Sequence, residues 1–222
     1  MKPATEPPVP GVTEPPGSKV TEPPGSKVTE RRRAVALAGH QGDRAAARAG
    51  LTDESPSVRA TALGALDRLS ALTDDDLRKS LADPEPSVRR RASELAATHP
   101  SVAITGLLDD GDASVVEMTA WSLGEREDRT AVGVLSALAT TGSGHSDPLC
   151  REAAVAALGA IGDPAGLPAV LGALDDKPAV RRRAAVALAA FEGPSVEAAL
   201  HRCLDDRDWQ VRQVAEDLLA VE

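Results

Sequence analysis

The stretch Asp147-Pro-Leu-Cys-Arg-Glu-Ala-Ala-Val-Ala-Ala-Leu-Gly-Ala-Ile-Gly-Asp-Pro164 decides the architecture. Cys150, Ala154 and Leu158 stand four residues apart, so they share one face of a helix. Pro148 suits the first helical turn, where no backbone donor is needed. Gly162-Asp163-Pro164 supplies a stop and a turn. With Cys150 as an anchor, equivalent apolar positions recur at Val58, Val88, Val115, Val180 and Val211, so successive anchors are 30, 27, 35, 30 and 31 residues apart.

Four further columns keep step with the anchor. Five residues before it stands Asp53, Asp83, Asp110, Asp175 or Asp206, with His145 the exception. One after it stands Arg59, Arg89, Arg151, Arg181 or Arg212, with Val116 the exception. Four after it stands Ala62, Ala92, Ala154, Ala184 or Ala215, and eight after it Leu66, Leu123, Leu158, Leu188 or Leu219. A small residue at the fourth position lets a neighbouring helix come close. Upstream of each Asp lies a second amphipathic stretch, such as Leu167, Val170, Leu171 and Leu174. Each unit therefore reads as helix A, an Asp-containing turn and helix B. One such pair cannot bury its own apolar stripe, so pairs must stack. The predicted fold is an all-α, right-handed α-solenoid (an α-α superhelix) of about six helical repeats over residues 29–222, opened by a lone B-type helix at Glu30–Ala38.

The 147–164 run resembles the HEAT repeat and, more narrowly, the bacterial PBS-lyase HEAT-like repeat. That resemblance implies a ladder in which the turn Asp of one unit meets the helix B Arg of another. Its rungs would come from Asp53, Asp83, Asp110, Asp175 and Asp206 with Arg59, Arg89, Arg151, Arg181 and Arg212. With Val116 in the Arg column and His145 in the Asp column, the ladder should weaken near the middle. The fourth unit is also lengthened by the loop Thr141-Gly-Ser-Gly-His-Ser146.

Residues 1–28 read differently. Val12-Thr-Glu-Pro-Pro-Gly-Ser-Lys19 repeats as Val20-Thr-Glu-Pro-Pro-Gly-Ser-Lys27. Pro-Pro-Gly opposes helix and strand alike, and no apolar face offsets the entropy of ordering. A disordered Pro/Gly-rich tail is expected there.

Composition agrees with a helical solenoid. The chain has 222 residues, of which 42% are hydrophobic and 1% aromatic. Alanine is close to a fifth of it, and isoleucine occurs only at Ile104 and Ile161. A β-sandwich or barrel draws on β-branched and aromatic residues and is disfavoured. The net charge of −9 opposes non-specific binding to nucleic acid or an anionic membrane. Two distant cysteines, Cys150 and Cys203, make neither a disulfide framework nor a zinc motif, which fits a reducing cytoplasm.

Chemistry is hard to find. Resemblance to deoxyhypusine hydroxylase would require His-Glu dipeptides for iron, but the four histidines read His40-Gln41, His99-Pro100, His145-Ser146 and His201-Arg202. Bilin lyases share the repeat, but no attachment site is legible. HEAT-like alkylpurine glycosylases need a basic, aromatic-lined groove. The outward column two after each anchor instead reads Ala60, Arg90, Glu117, Glu152, Arg182 and Gln213, acidic at its centre. The carboxylate clusters Asp74–Asp76, Asp109–Asp112 and Asp205–Asp208 fall at helix starts, where they cap. No cofactor or metal is expected. Trp121, six after its anchor, lies about 240° around the helix, on the face of Glu117 and away from Val115. With Arg90, Glu94, Glu117, Glu152 and Arg182 it composes a candidate partner-binding surface on the concave B-helix side. Trp209 is expected to help cover the C-terminal end. The function predicted is a non-catalytic scaffold or adaptor that grips a protein or peptide.

Overall fold

The computed structural model describes residues 24–220, with side chains from Lys27 onward, and every expectation about residues 1–23 lies outside them. Among the described residues there are twelve α-helices and no strand. The B series is α1 (Pro24–Gln41), α3 (Pro56–Arg68), α5 (Pro86–Leu95), α6 (Ala113–Glu125), α8 (Pro148–Ile161), α10 (Pro178–Ala187) and α12 (Trp209–Leu219). The A series is α2 (Arg44–Ala49), α4 (Asp74–Leu81), α7 (Val132–Ala139), α9 (Leu167–Ala173) and α11 (Pro194–Cys203). In the third unit a short 3-10 turn, Thr105–Asp109, replaces helix A. That truncation accounts for the spacing of 27. Each B helix packs on the next, so the chain is an α-solenoid of six units behind a leading B helix.

α1 corrects one boundary. It begins at Pro24, inside the stretch expected to belong to the tail, and it runs past both ends of the expected Glu30–Ala38 helix. Pro-Pro-Gly bars a helix interior but not a first turn, whose N–H groups have no intrahelical acceptor in any case. The same logic places Pro56, Pro86, Pro148 and Pro178 at the first turns of α3, α5, α8 and α10.

All six anchors are buried, as are the fourth-position alanines. One apolar core runs from Leu63 to Ala215, and a smaller N-terminal cluster around Val35, Val58 and Leu66 joins it through Leu51 and Leu72. Close approach of neighbouring B helices also uses a different pair of small residues. A Cβ built on Gly124 would lie 2.9 Å from Ala157 Cα, and one on Gly159 would lie 2.8 Å from Ala187 Cβ. Glycine nine after one anchor thus faces alanine seven after the next, and Gly39 meets Ala65 in the same way. Carboxylates cap as expected. Asp112 and Asp208 accept from the starts of α6 and α12, and Thr73 with Asp76 forms a capping box on α4.

The Arg–Asp ladder is present, with a changed register. Arg59 meets Asp83 through Nε at 2.8 Å and Nη2 at 2.7 Å, and Arg89 meets Asp110 with both bonds at 2.7 Å. Arg151 meets Asp176 at 2.7 and 2.8 Å, and Arg181 meets Asp206 at 3.0 Å twice. Asp176, not Asp175, therefore carries the fourth rung. Column counting cannot separate two adjacent aspartates; the turn is one residue tighter here, so Asp176 is buried and Asp175 exposed. Asp53 is claimed by Arg31 of α1, a rung that the column missed because Glu30, not an apolar anchor, precedes Arg31. Arg212 donates to the Asp206 carbonyl and meets no carboxylate among the described residues.

Each rung from Arg59 onward is a knot rather than a pair. The third guanidinium nitrogen, Nη1, reaches back to a carbonyl of its own turn, Asp53 for Arg59 and Asp83 for Arg89. The carboxylate also accepts a backbone N–H just beyond it, from Ser55 at Asp53 and from Asp112 at Asp110. The ladder is interrupted between the third and fourth units, where Val116 is buried in place of an Arg. At that turn His145 replaces the missing carboxylate locally, its Nδ1 accepting from Asp147 N and its carbonyl from Arg151.

The rungs hold their carboxyls in the ionised form. The Arg151 hydrogen bond, against burial, brings Asp176 down to about 2 from an ordinary 3.8. Arg31, Arg89 and Arg181 likewise lower Asp53, Asp110 and Asp206. A depressed carboxylate stabilises the fold fully above its unfolded value and loses that contribution as pH falls through the folded one. The Asp176 contribution, about 2 kcal/mol, should therefore vanish between about pH 4 and pH 2 in urea melts, and Asp176→Asn should flatten that slope.

Two substitution tests follow from the packing. Asp176→Ala leaves Arg151 buried and unpaired and should cost about 3–5 kcal/mol, whereas Asp175→Ala should stay within about 0.5 kcal/mol. Equal costs would restore the uncorrected register. Gly124→Ala should lower stability by about 1–2 kcal/mol, because overpacking against the Ala157 backbone exceeds the gain in helix propensity. A rise in melting temperature would contradict the close approach.

Candidate functional site

Consecutive B helices present their outward residues side by side. The column six after each anchor reads Gly64, Glu94, Trp121, Ala156, Val186 and Asp217. At its centre the large ring of Trp121 stands next to the methyl group of Ala156, and this size step opens a groove. The groove holds about 660 Å³ and is walled by Glu94 of α5, by Glu117, Met118, Trp121 and Glu125 of α6, by Leu149 and Glu152 of α8, and by Arg183 of α10. Its floor is Gly124, Ala153, Ala156, Ala157 and Ala160, so it lies over the close approach of α6 to α8.

Trp121 is 43% exposed and Leu149 55% exposed, so the groove offers a large apolar contact to solvent. Of the residues expected to form this surface, Glu94, Glu117, Trp121 and Glu152 line it. Arg90 is exposed but does not line it, and Arg182 turns to Gln210 and Asp208 of the last unit. Met118, Glu125, Leu149 and Arg183 were missed. The signal for Arg183 and Met118 was the column three after the anchor, which also faces outward.

The groove's charges are partly paired. Glu94 meets Arg91 at 2.7 Å, and Glu152 meets Arg183 at 3.5 Å. Glu117 and Glu125 have no hydrogen-bond or ion-pair partner among the described residues.

Elsewhere the reactive groups are occupied. The Cys150 thiol donates toward the Ala113 carbonyl at 3.4 Å, and burial pushes it up to about 11. Burial also raises Cys203. Asp74 accepts from Ser101 and lies 2.8 Å from His99 Nδ1, but the Ser101 hydroxyl is spent on the carboxylate rather than aimed at the imidazole. Among the described residues no group of three His, Cys, Asp or Glu side chains could hold a metal ion, and no helix is long and apolar enough to cross a membrane. The 141–146 loop folds back on α7, with His145 N donating to the Leu138 carbonyl at 3.0 Å and Thr141 Oγ1 reaching Asp176 at 3.2 Å. Trp209 is 63% exposed at the first turn of α12, so it does not act as a buried cover for the C-terminal end.

Comparison with known proteins is consistent with this geometry. No curated protein sequence matches the chain. Among solved structures, YibA of Escherichia coli is similar at 16% identity, over 94% of this chain and 77% of that one, with a TM-score of 0.58. The complex of CpcE and CpcF of phycocyanin lyase from Nostoc sp. PCC7120 is similar at 23% identity, over 95% of this chain and 81% of that one, with a TM-score of 0.56. At such identities the likeness is one of fold. A family model described as HEAT repeats matches residues 100–179 and 143–220, more than half of the sequence. The chain, with its stacked A–B units, therefore belongs to the HEAT-repeat family.

Proposed function

We propose that this chain is a non-catalytic scaffold that docks a protein or peptide segment in the groove around Trp121. The observation that carries this reading is a half-exposed tryptophan set in a 660 Å³ groove shared by four successive B helices. A large aromatic at the centre of a surface, ringed by polar groups, is the composition of a binding hot spot. The stacked helices hold that surface in place before a partner arrives, which lowers the entropy lost on binding. Solenoids use their extended faces in this way. Four carboxylates and one guanidinium around alkyl groups offer a surface rather than a reaction centre, and their net negative charge works against a phosphate backbone. The unpaired, buried cysteines accord with work in a reducing cytoplasm. The repeat subtype, on this reading, is the PBS-lyase HEAT-like one, with units of about thirty residues and an Asp–Arg ladder.

The test places a photo-crosslinking amino acid at Leu149 in the groove and, separately, at the exposed Val134 on α7. Irradiation in lysate should give a discrete adduct from Leu149 that Trp121→Ala weakens by about 30-fold, the scale of a hot-spot residue. The same adduct from Val134, or one indifferent to Trp121→Ala, would overturn the assignment.

A further inference from the structure

The chemistry of the docked segment is also written in the groove. Glu117, Trp121 and Glu125 stand at intervals of four along α6, so they form one stripe with the ring in the middle and a carboxylate one turn to each side. Glu94 and Glu152 face the same space from α5 and α8, already partnered by Arg91 and Arg183. The two carboxylates flanking the ring are the unpaired ones. A free carboxylate at each end of an exposed indole, over a floor of alanine methyl groups, matches a side chain with an apolar stem and a cationic head. Lysine and arginine have that build: the stem lies on apolar surface and the head stays polar. A cation over the indole face gains a further attraction from the ring quadrupole. An acidic segment would meet like charge from both flanks, and an uncharged one would leave the carboxylates unanswered.

We propose that the segment docked at Trp121 is basic, with a Lys or Arg side chain laid on the indole and its charge met by Glu117 and Glu125. The proposal rests on the docking reading above and narrows it to one partner chemistry.

The experiment uses the full chain carrying Trp209→Phe, which leaves Trp121 as the sole tryptophan, after a thermal melt shows that the variant folds like the parent. Three peptides of equal length are titrated while Trp121 emission is followed: one rich in Lys and Arg, one with those positions changed to Gln, and one with them changed to Glu. The basic peptide should shift the emission, bind more weakly as salt is raised, and lose about ten-fold in affinity when Glu117→Gln and Glu125→Gln are combined. A variant pair that binds the basic peptide as tightly as the parent would overturn the proposal. A shift by the Gln or Glu peptide equal to or larger than that by the basic one would overturn it too, while leaving docking at Trp121 in place. Emission that changes with protein concentration alone would assign the groove to a second copy of the chain instead. Silence toward all three peptides would count against both this inference and the docking reading.

Discussion

The structure depends on one repeated interaction, the Arg–Asp knot that ties α3, α5, α8 and α10 each to the turn of the next unit. A solenoid of short helices has few contacts between residues distant in sequence, so its shape is set by how consecutive units meet. Apolar burial drives the stacking but tolerates rotation and sliding. A guanidinium gripping a carboxylate through two nitrogens and its own turn carbonyl through a third tolerates neither, because all three bonds have fixed directions. The rungs differ in burial. The side chains of Arg31 and Asp53 are 36% and 14% exposed, and those of Arg151 and Asp176 are 9% and 2% exposed. The Arg151–Asp176 rung therefore acts in a lower dielectric than the Arg31–Asp53 rung and is costlier to break.

Where the ladder is interrupted, packing takes its place. Val116 removes the guanidinium between the third and fourth units, and there Gly124 lets α6 settle against the backbone of α8 at Ala157. A buried hydrogen bond from Thr119 to Ser93 ties the third unit back to the second. The same small residues that permit this approach leave the floor of the groove empty beside Trp121. At this joint the glycine and alanine residues that bring α6 against α8 also shape the groove.

Most of the architecture was legible from the anchors at Val58, Val88, Val115, Cys150, Val180 and Val211, because the buried face of a helix has a period that sequence displays directly. The exposed placement of Trp121 followed from the same arithmetic. Three things were not legible. Asp175 and Asp176 both satisfy a column, and only the tightness of the turn chooses between them. The helical start at Pro24 looked like tail because proline opposes a helix interior, not its first turn. The glycine–alanine approach between neighbouring B helices pairs residues from two units, a relation that a single-unit column does not reveal. Arg90 and Arg182 were placed on the groove by wheel geometry alone, yet long side chains go where a partner is, and Arg182 finds one in Asp208.

A backbone of rungs and an acidic, aromatic groove over its least laddered joint belong together: the knots hold the surface on which docking is proposed. Its central claim is that Arg151 and Asp176 act as one unit across the interface. A double-mutant cycle with Arg151→Met and Asp176→Asn, followed by urea unfolding at neutral pH, measures that coupling. The account predicts a coupling energy of about 2 kcal/mol, and a value within about 0.5 kcal/mol of zero would contradict it.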